Sequence, residues 1–128
     1  MRKIIISTDK APAAIGPYEQ AIRVGNLIFT SGQIPVDPVT NKLTGGDISH
    51  QTKRVMENLK SVLEASGSSF QNVVKTTIFL TDLKNFEQVN KIYSEYFTDG
   101  KPARSTIQVS ALPKGAEIEI EMLAIAEE

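Results

Sequence analysis

The stretch Val73-Val74-Lys75-Thr76-Thr77-Ile78-Phe79-Leu80 limits the possible folds more than any other part of the chain. It is β-branched, with apolar side chains at both parities, so it reads as a central strand that needs cover on both faces. The chain offers two helices to provide that cover. Asp47 is a plausible N-cap for the first, whose apolar positions Ile48, Val55, Met56, Leu59, Val62 and Leu63 recur at helical spacing before Gly67 supplies a stop. Asn85, with Gln88 three residues on, is expected to cap the second, which runs through Phe97 with Phe86, Val89, Tyr93 and Phe97 on its buried stripe. The remaining periodic segments alternate as strands: Lys3 to Ser7, Ala21 to Val24, Leu27 to Ser31, a run beginning at Arg104, and Glu117 to Ala126. Gly25-Asn26 joins the second and third as a hairpin. The order β, β, β, α, β, α, β, β predicts an α+β domain, with one mixed sheet of about six strands and two helices packed on one face. Nothing in the chain is left to cover the other face, and a second copy of the same sheet is the physical remedy.

At 128 residues the chain fits one domain, residues 1–128, with no linker to divide it. Fourteen basic residues balance fifteen acidic ones for a net charge of −1, and no run of Lys or Arg is long enough to follow a phosphate backbone, so nucleic acid is not an expected partner. With no cysteine there is no disulfide framework, thiolate metal site or cysteine nucleophile. The single histidine, His50, lies in the first turn of the first helix, off its apolar stripe, without a second imidazole to complete a metal-ligand set. The apolar run near the N-terminus, Ile4-Ile5-Ile6, is far too short for a signal core or a membrane span, which argues for a cytoplasmic protein with no membrane partner.

Candidate chemistry is concentrated in four places. In Lys101-Pro102-Ala103-Arg104-Ser105-Thr106, Pro102 halts any preceding helix and Arg104 opens a strand, so a planar guanidinium is presented from rigid backbone. Such a fork matches a carboxylate in two places at once, although a surface ion pair with a neighbouring Glu is an equally physical use. The loop Ala11-Pro12-Ala13-Ala14-Ile15-Gly16-Pro17-Tyr18 is shaped by its prolines and glycine, leaving Tyr18 either to close a pocket or to cap the core. In Thr30-Ser31-Gly32-Gln33-Ile34-Pro35, Gly32 marks a strand-ending bend or a close approach that would put the Ser31 hydroxyl near a site. Along Glu117 to Ala126, one face carries Glu117, Glu119 and Glu121 and then turns apolar at Leu123 and Ile125, so the face passes through a partly buried carboxylate that could serve as a base or position water, although a row of glutamates is usually just the wet side of an antiparallel strand. Asn90 sits beside the stripe of the second helix, either solvated or turned toward the same cavity as Tyr18.

These segments resemble the reactive intermediate deaminase (RidA/YjgF) family. The likeness runs in order through Ala11 to Tyr18, Thr30 to Pro35, Pro102 to Ser105, and Leu112-Pro113-Lys114 with Ile118-Glu119-Ile120-Glu121. The resemblance implies a chorismate-mutase-like α+β fold and a homotrimer whose sheets form a central barrel, with ligand clefts between subunits. It also implies water attack on 2-imino acids such as 2-iminobutanoate and 2-iminopropanoate, the enamine/imine products of pyridoxal-phosphate enzymes. The products would be 2-oxo acids and ammonia, with no cofactor and no metal. By position, Arg104 would bind the substrate carboxylate and Glu119 would activate water, with Tyr18, Ser31, Gly32, Asn90 and Thr106 lining the cleft. Thr106 departs from the family, many of whose members have cysteine there. The rival implication is a non-catalytic binder of small 2-oxo acids that regulates a protein partner.

Overall fold

The computed structural model describes residues 2–127. Eight elements follow the predicted order: β1 (Lys3–Ile6), β2 (Ala21–Val24), β3 (Leu27–Thr30), α1 (Ile48–Ala65), β4 (Val73–Leu80), α2 (Phe86–Ser94), β5 (Ala103–Gln108) and β6 (Ile118–Ile125). The strands form one sheet in the order β1-β2-β3-β6-β4-β5. Only β4 and β5 are parallel, the pairing that α2 makes possible as their crossover. The hairpin turns at Gly25, whose φ of 60° suits glycine.

The first helix has its predicted ends. Asp47 accepts a hydrogen bond from the His50 backbone N–H at 2.9 Å, and Gly67 leaves the last turn with φ 81°. Its whole apolar stripe is buried against β3, β4 and β6, where Ile28, Ile78, Leu80, Ile118 and Ile120 are also fully enclosed. Two polar ties fix the layers: Asn58 donates to the Val36 carbonyl at 2.9 Å, and the hydroxyls of Thr76 and Tyr93 meet at 2.7 Å.

The second helix departs from expectation at both ends. A 3₁₀ turn, Leu83–Asn85, runs straight into it and holds Asn85 at φ −82°, ψ 1°, away from the extended conformation a capping side chain needs, and Asn85 makes no cap bond. The carboxylate capping this region belongs to Asp82, which accepts from the Lys84 N–H at 2.9 Å. The helix ends at Ser94, because the bonds from Tyr96 to Tyr93 and from Phe97 to Ser94 are those of a tighter turn. Phe97 is buried all the same, but Phe86 is not.

Both helices lie on one face of the sheet, so the double cover that the β4 sequence calls for is met on one side only. Thr76, Ile78 and Leu80 of β4 are buried under the helices, while Lys75, Thr77 and Phe79 on the opposite side are half-covered. That open side also carries Leu27, Phe29, Ile107 and Ile125, which are 38–46% exposed.

Candidate functional site

The parallel register of β5 places Arg104 beside Thr76 and Thr106 beside Ile78, on the helix-covered side of an edge strand. The Arg104 guanidinium lies 5.0 Å from the centre of the Tyr93 ring and 5.4 Å from that of Phe86. Those two rings are its partners among the described residues, so the ion pair with a neighbouring Glu is not formed. Phe86 remains exposed because its ring backs the guanidinium at the sheet edge instead of entering the core. Asn90 is half-buried, one turn from both rings on α2, and so shares the face that meets Arg104. Burial holds the Tyr93 hydroxyl above its ordinary pKa against the opposing pull of Thr76 and Arg104, which keeps the ring neutral under the cation.

Glu119 occupies a different place. It pairs with Phe79 across β6 and β4 and faces the open side of the sheet. Gly32 packs directly against it: a Cβ at position 32 would stand 2.6 Å from a Glu119 carboxylate oxygen, so any other residue there would push the Glu119 side chain aside. The close approach expected at Gly32 is therefore made by the chain's own carboxylate. Gln33 and Ile120 exchange backbone hydrogen bonds of 2.9 and 3.1 Å that hold the two segments together. Burial, and then the neighbouring Glu121, push the Glu119 carboxyl above its ordinary pKa. Ser31 donates its hydroxyl proton to the Glu19 carbonyl at 2.5 Å and retains its lone pairs for any donor that approaches.

Tyr18 does not cap the core. It is 48% exposed, accepts from the Ile15 N–H at 3.5 Å, and with Gly32 lines a cavity of about 50 Å³. Spacing in the sequence gave no sign of this cavity, whose wall also includes Ile34 and Lys114 from separate segments. The role of Phe86 and Tyr93 beside Arg104 was hidden for a related reason: a helical stripe looks the same whether it packs on core or on a guanidinium. His50 is exposed, and among the described residues no group of three or more His, Asp or Glu is placed to hold a metal ion.

In the sheet, Glu119 and Ile107 share a row through Phe79, and Arg104 lies three residues further along β5 on the opposite face. At about 3.3 Å per residue and 4.8 Å per strand, the two backbones are on the order of 14 Å apart. One chain thus carries two separate groups, Arg104 with Thr106 and Asn90, and Glu119 with Gly32, Ser31 and Tyr18.

The family described as Endoribonuclease L-PSP matches residues 8–126. A RutC family protein of Pyrococcus abyssi is 54% identical over 99% of this chain and 100% of its own. The human 2-iminobutanoate/2-iminopropanoate deaminase is 50% identical over 94% of this chain and 88% of its own. The chain belongs to the RidA/YjgF family. Among RidA/YjgF structures, that of E. coli TdcF with bound serine superposes with a TM-score of 0.91 at 41% identity, covering 97% of this chain and 99% of that one. The family-like segments sort by place in the fold. Those at 11–18, 30–35 and 112–121 gather around Gly32, and the one at 102–105 stands alone on β5.

Proposed function

We propose that this RidA/YjgF chain hydrolyses small 2-imino acids to 2-oxo acids and ammonia, at clefts formed between copies in a homotrimer. The observation that carries this reading is the Arg104 guanidinium, fixed by a strand and two rings, without a carboxylate partner among the described residues and separated from Glu119, a carboxylate suited to proton transfer. A guanidinium so placed is ready for an incoming carboxylate. A second copy that covers the open face and reaches past the β5 edge would bring its own Glu119 to the same cleft. The human relative's name and the serine held by TdcF support the ligand class, since serine has both an α-carboxylate and an α-nitrogen.

In the cleft, Arg104 holds the substrate carboxylate, with Asn90 and Thr106 beside it. Water adds its oxygen to C2 of the protonated imine while Glu119 removes a water proton. Glu119 then returns that proton to nitrogen and takes up the hydroxyl proton as the C–N bond breaks, so that the 2-oxo acid forms and the departing ammonia carries the last proton away as ammonium. A carboxyl with a raised pKa suits these transfers near neutral pH. Because water is the nucleophile, threonine in place of cysteine at position 106 removes no essential group; positioning, carboxylate binding and proton transfer suffice. The ribonuclease reading invited by the family's description has little support here, with a net charge of −1 and one exposed histidine.

The test adds purified protein to threonine dehydratase and threonine and times the release of 2-oxobutanoate. Catalytic amounts should speed the release. Saturable binding of 2-oxobutanoate with no acceleration, even at stoichiometric protein, would overturn catalysis and leave a binding protein.

A further inference from the structure

The segment that joins Phe97 to β5 carries chemistry that the cleft does not use. Phe97 is buried at one end and Ala103 opens the strand at the other, while Thr98, Asp99, Gly100 and Lys101 between them are exposed. Asp99-Gly100 is the one point in the chain at which an Asp or Asn precedes Gly. Gly100 has φ 122°, and a Cβ added to it would meet nothing within 4 Å. No side chain of its own shields the Gly100 nitrogen, and among the described residues its N–H makes no backbone hydrogen bond.

The carboxyl beside that nitrogen is lightly held. Gln71, itself exposed, donates from its side-chain amide to Asp99 Oδ2 at 2.7 Å, in a place where water competes for both partners. A main-chain nitrogen next to a side-chain carboxyl is an intramolecular nucleophile, so closing a succinimide ring needs no second molecule to be brought in.

We propose that Asp99-Gly100 is a site of spontaneous isomerisation to isoaspartate, which makes the aged chain a substrate for a carboxyl methyltransferase that recognises isoaspartate. The Gly100 nitrogen bonds to Cγ of the protonated Asp99 carboxyl and gives up its proton as a C–O bond of that carboxyl breaks, and the two leave as water. Water then opens the ring. Attack at Cγ restores aspartate, whereas attack at the Asp99 main-chain carbonyl carbon breaks its bond to nitrogen and leaves the chain running through Cγ, with the α-carboxylate released. The methyltransferase moves a methyl group from S-adenosylmethionine to that carboxylate, and the ester expels methanol as the nitrogen closes the ring again. The isomer carries an extra main-chain carbon in the connection that leads into β5 and Arg104. None of this depends on the deaminase reading.

The test ages the intact protein at neutral pH and treats samples taken over time with the methyltransferase and S-adenosylmethionine tritiated in its methyl group. Label should accumulate with age, and proteolytic mapping should find it in the peptide that contains Asp99. Asp99→Ser removes the electrophile and should lose that label. Asp99→Asn should gain it severalfold faster, since a neutral amide needs no prior protonation and expels ammonia in place of water. Both variants change an exposed side chain bonded to Gln71, so the fold is kept, which far-UV circular dichroism checks. A parent that gains no label, label at other aspartates and not at Asp99, a serine variant labelled like the parent, or an asparagine variant no faster than the parent overturns the proposal. So does label that appears only after unfolding in guanidinium, because the folded loop would then forbid the attack.

Discussion

Arg104 and Glu119 are tuned by opposite means, one by stacking against rings and the other by loss of water. The Arg104 fork can make two charge-assisted hydrogen bonds to a carboxylate, each contributing about 1.5 to 3 kcal/mol. Arg104→Ala should therefore lower kcat/KM by roughly two to four powers of ten, at about 1.4 kcal/mol per power. Arg104→Lys keeps the charge and loses the planar fork, so it should recover only part. An alanine variant within threefold of the parent, by 2-oxobutanoate release, would exclude carboxylate binding by Arg104. For Glu119 the sign follows from burial. Its folded-state pKa lies above the ordinary 4.5, so the ionised form weakens the fold; that cost is absent below the unfolded value and appears as pH rises through the folded one. Glu119→Gln should thus raise Tm at pH 7 to 8, with the gain vanishing toward pH 4, while turnover drops by roughly 10² to 10⁴. In the parent, the acid limb of kcat should sit above 4.5. A glutamine variant less stable than the parent at pH 8 would contradict the burial argument. Pro102 and the alternation after it made Arg104 legible in the sequence; the switch to apolar side chains follows Glu121, which is exposed, so Glu119 was marked by the family resemblance alone. The rings under Arg104 were not legible, because which neighbour a helical stripe meets depends on the tertiary register of β5.

Where β3 ends and β6 begins, Gly32 and Gln33 form a short bridge whose narrowness sets the position of Glu119. Gly32→Ala would put a methyl group 2.6 Å from the carboxylate oxygen, and the flexible end of Glu119 is what can move. The expected result is a loss of about 1 to 3 kcal/mol in thermal unfolding with at least a roughly tenfold fall in turnover, since a shift of about 1 Å in a catalytic group can cost 10²-fold. Unchanged turnover beside lowered stability would show that Glu119 is not held there for catalysis. The elements themselves were readable in proportion to how local their signals are. Asp47 and Gly67 act within one turn of α1, and its ends fell where the sequence put them. At α2 the same reasoning failed, because Asp82 starts a 3₁₀ turn upstream and leaves Asn85 already helical. The choice between Tyr18 as core cap and as pocket wall also lay beyond local reading, since the cavity gathers segments from 12 to 114.

At the scale of the whole molecule, the open face of the sheet carries an assembly prediction. Sedimentation equilibrium should give a trimer at micromolar concentration; a stable monomer of 14.0 kDa would refute it. Phe29, on the exposed face, is a direct probe. Phe29→Asp should dissociate the assembly and abolish turnover while far-UV circular dichroism stays unchanged, because no core contact is lost. The need for a second layer was visible in β4, whose apolar side chains at both parities had only two helices to cover them. How many copies supply that layer follows from the twist and closure of the sheets, which alternation does not encode. The separation of Arg104 from Glu119 on opposite faces also has a genetic consequence. A chain with Arg104→Ala and another with Glu119→Gln are each inactive alone, yet each keeps the half that the other lacks. Unfolded together and refolded as mixed oligomers in equal amounts, they should regain roughly a quarter of the parent's clefts, and two defective alleles in one cell should complement each other.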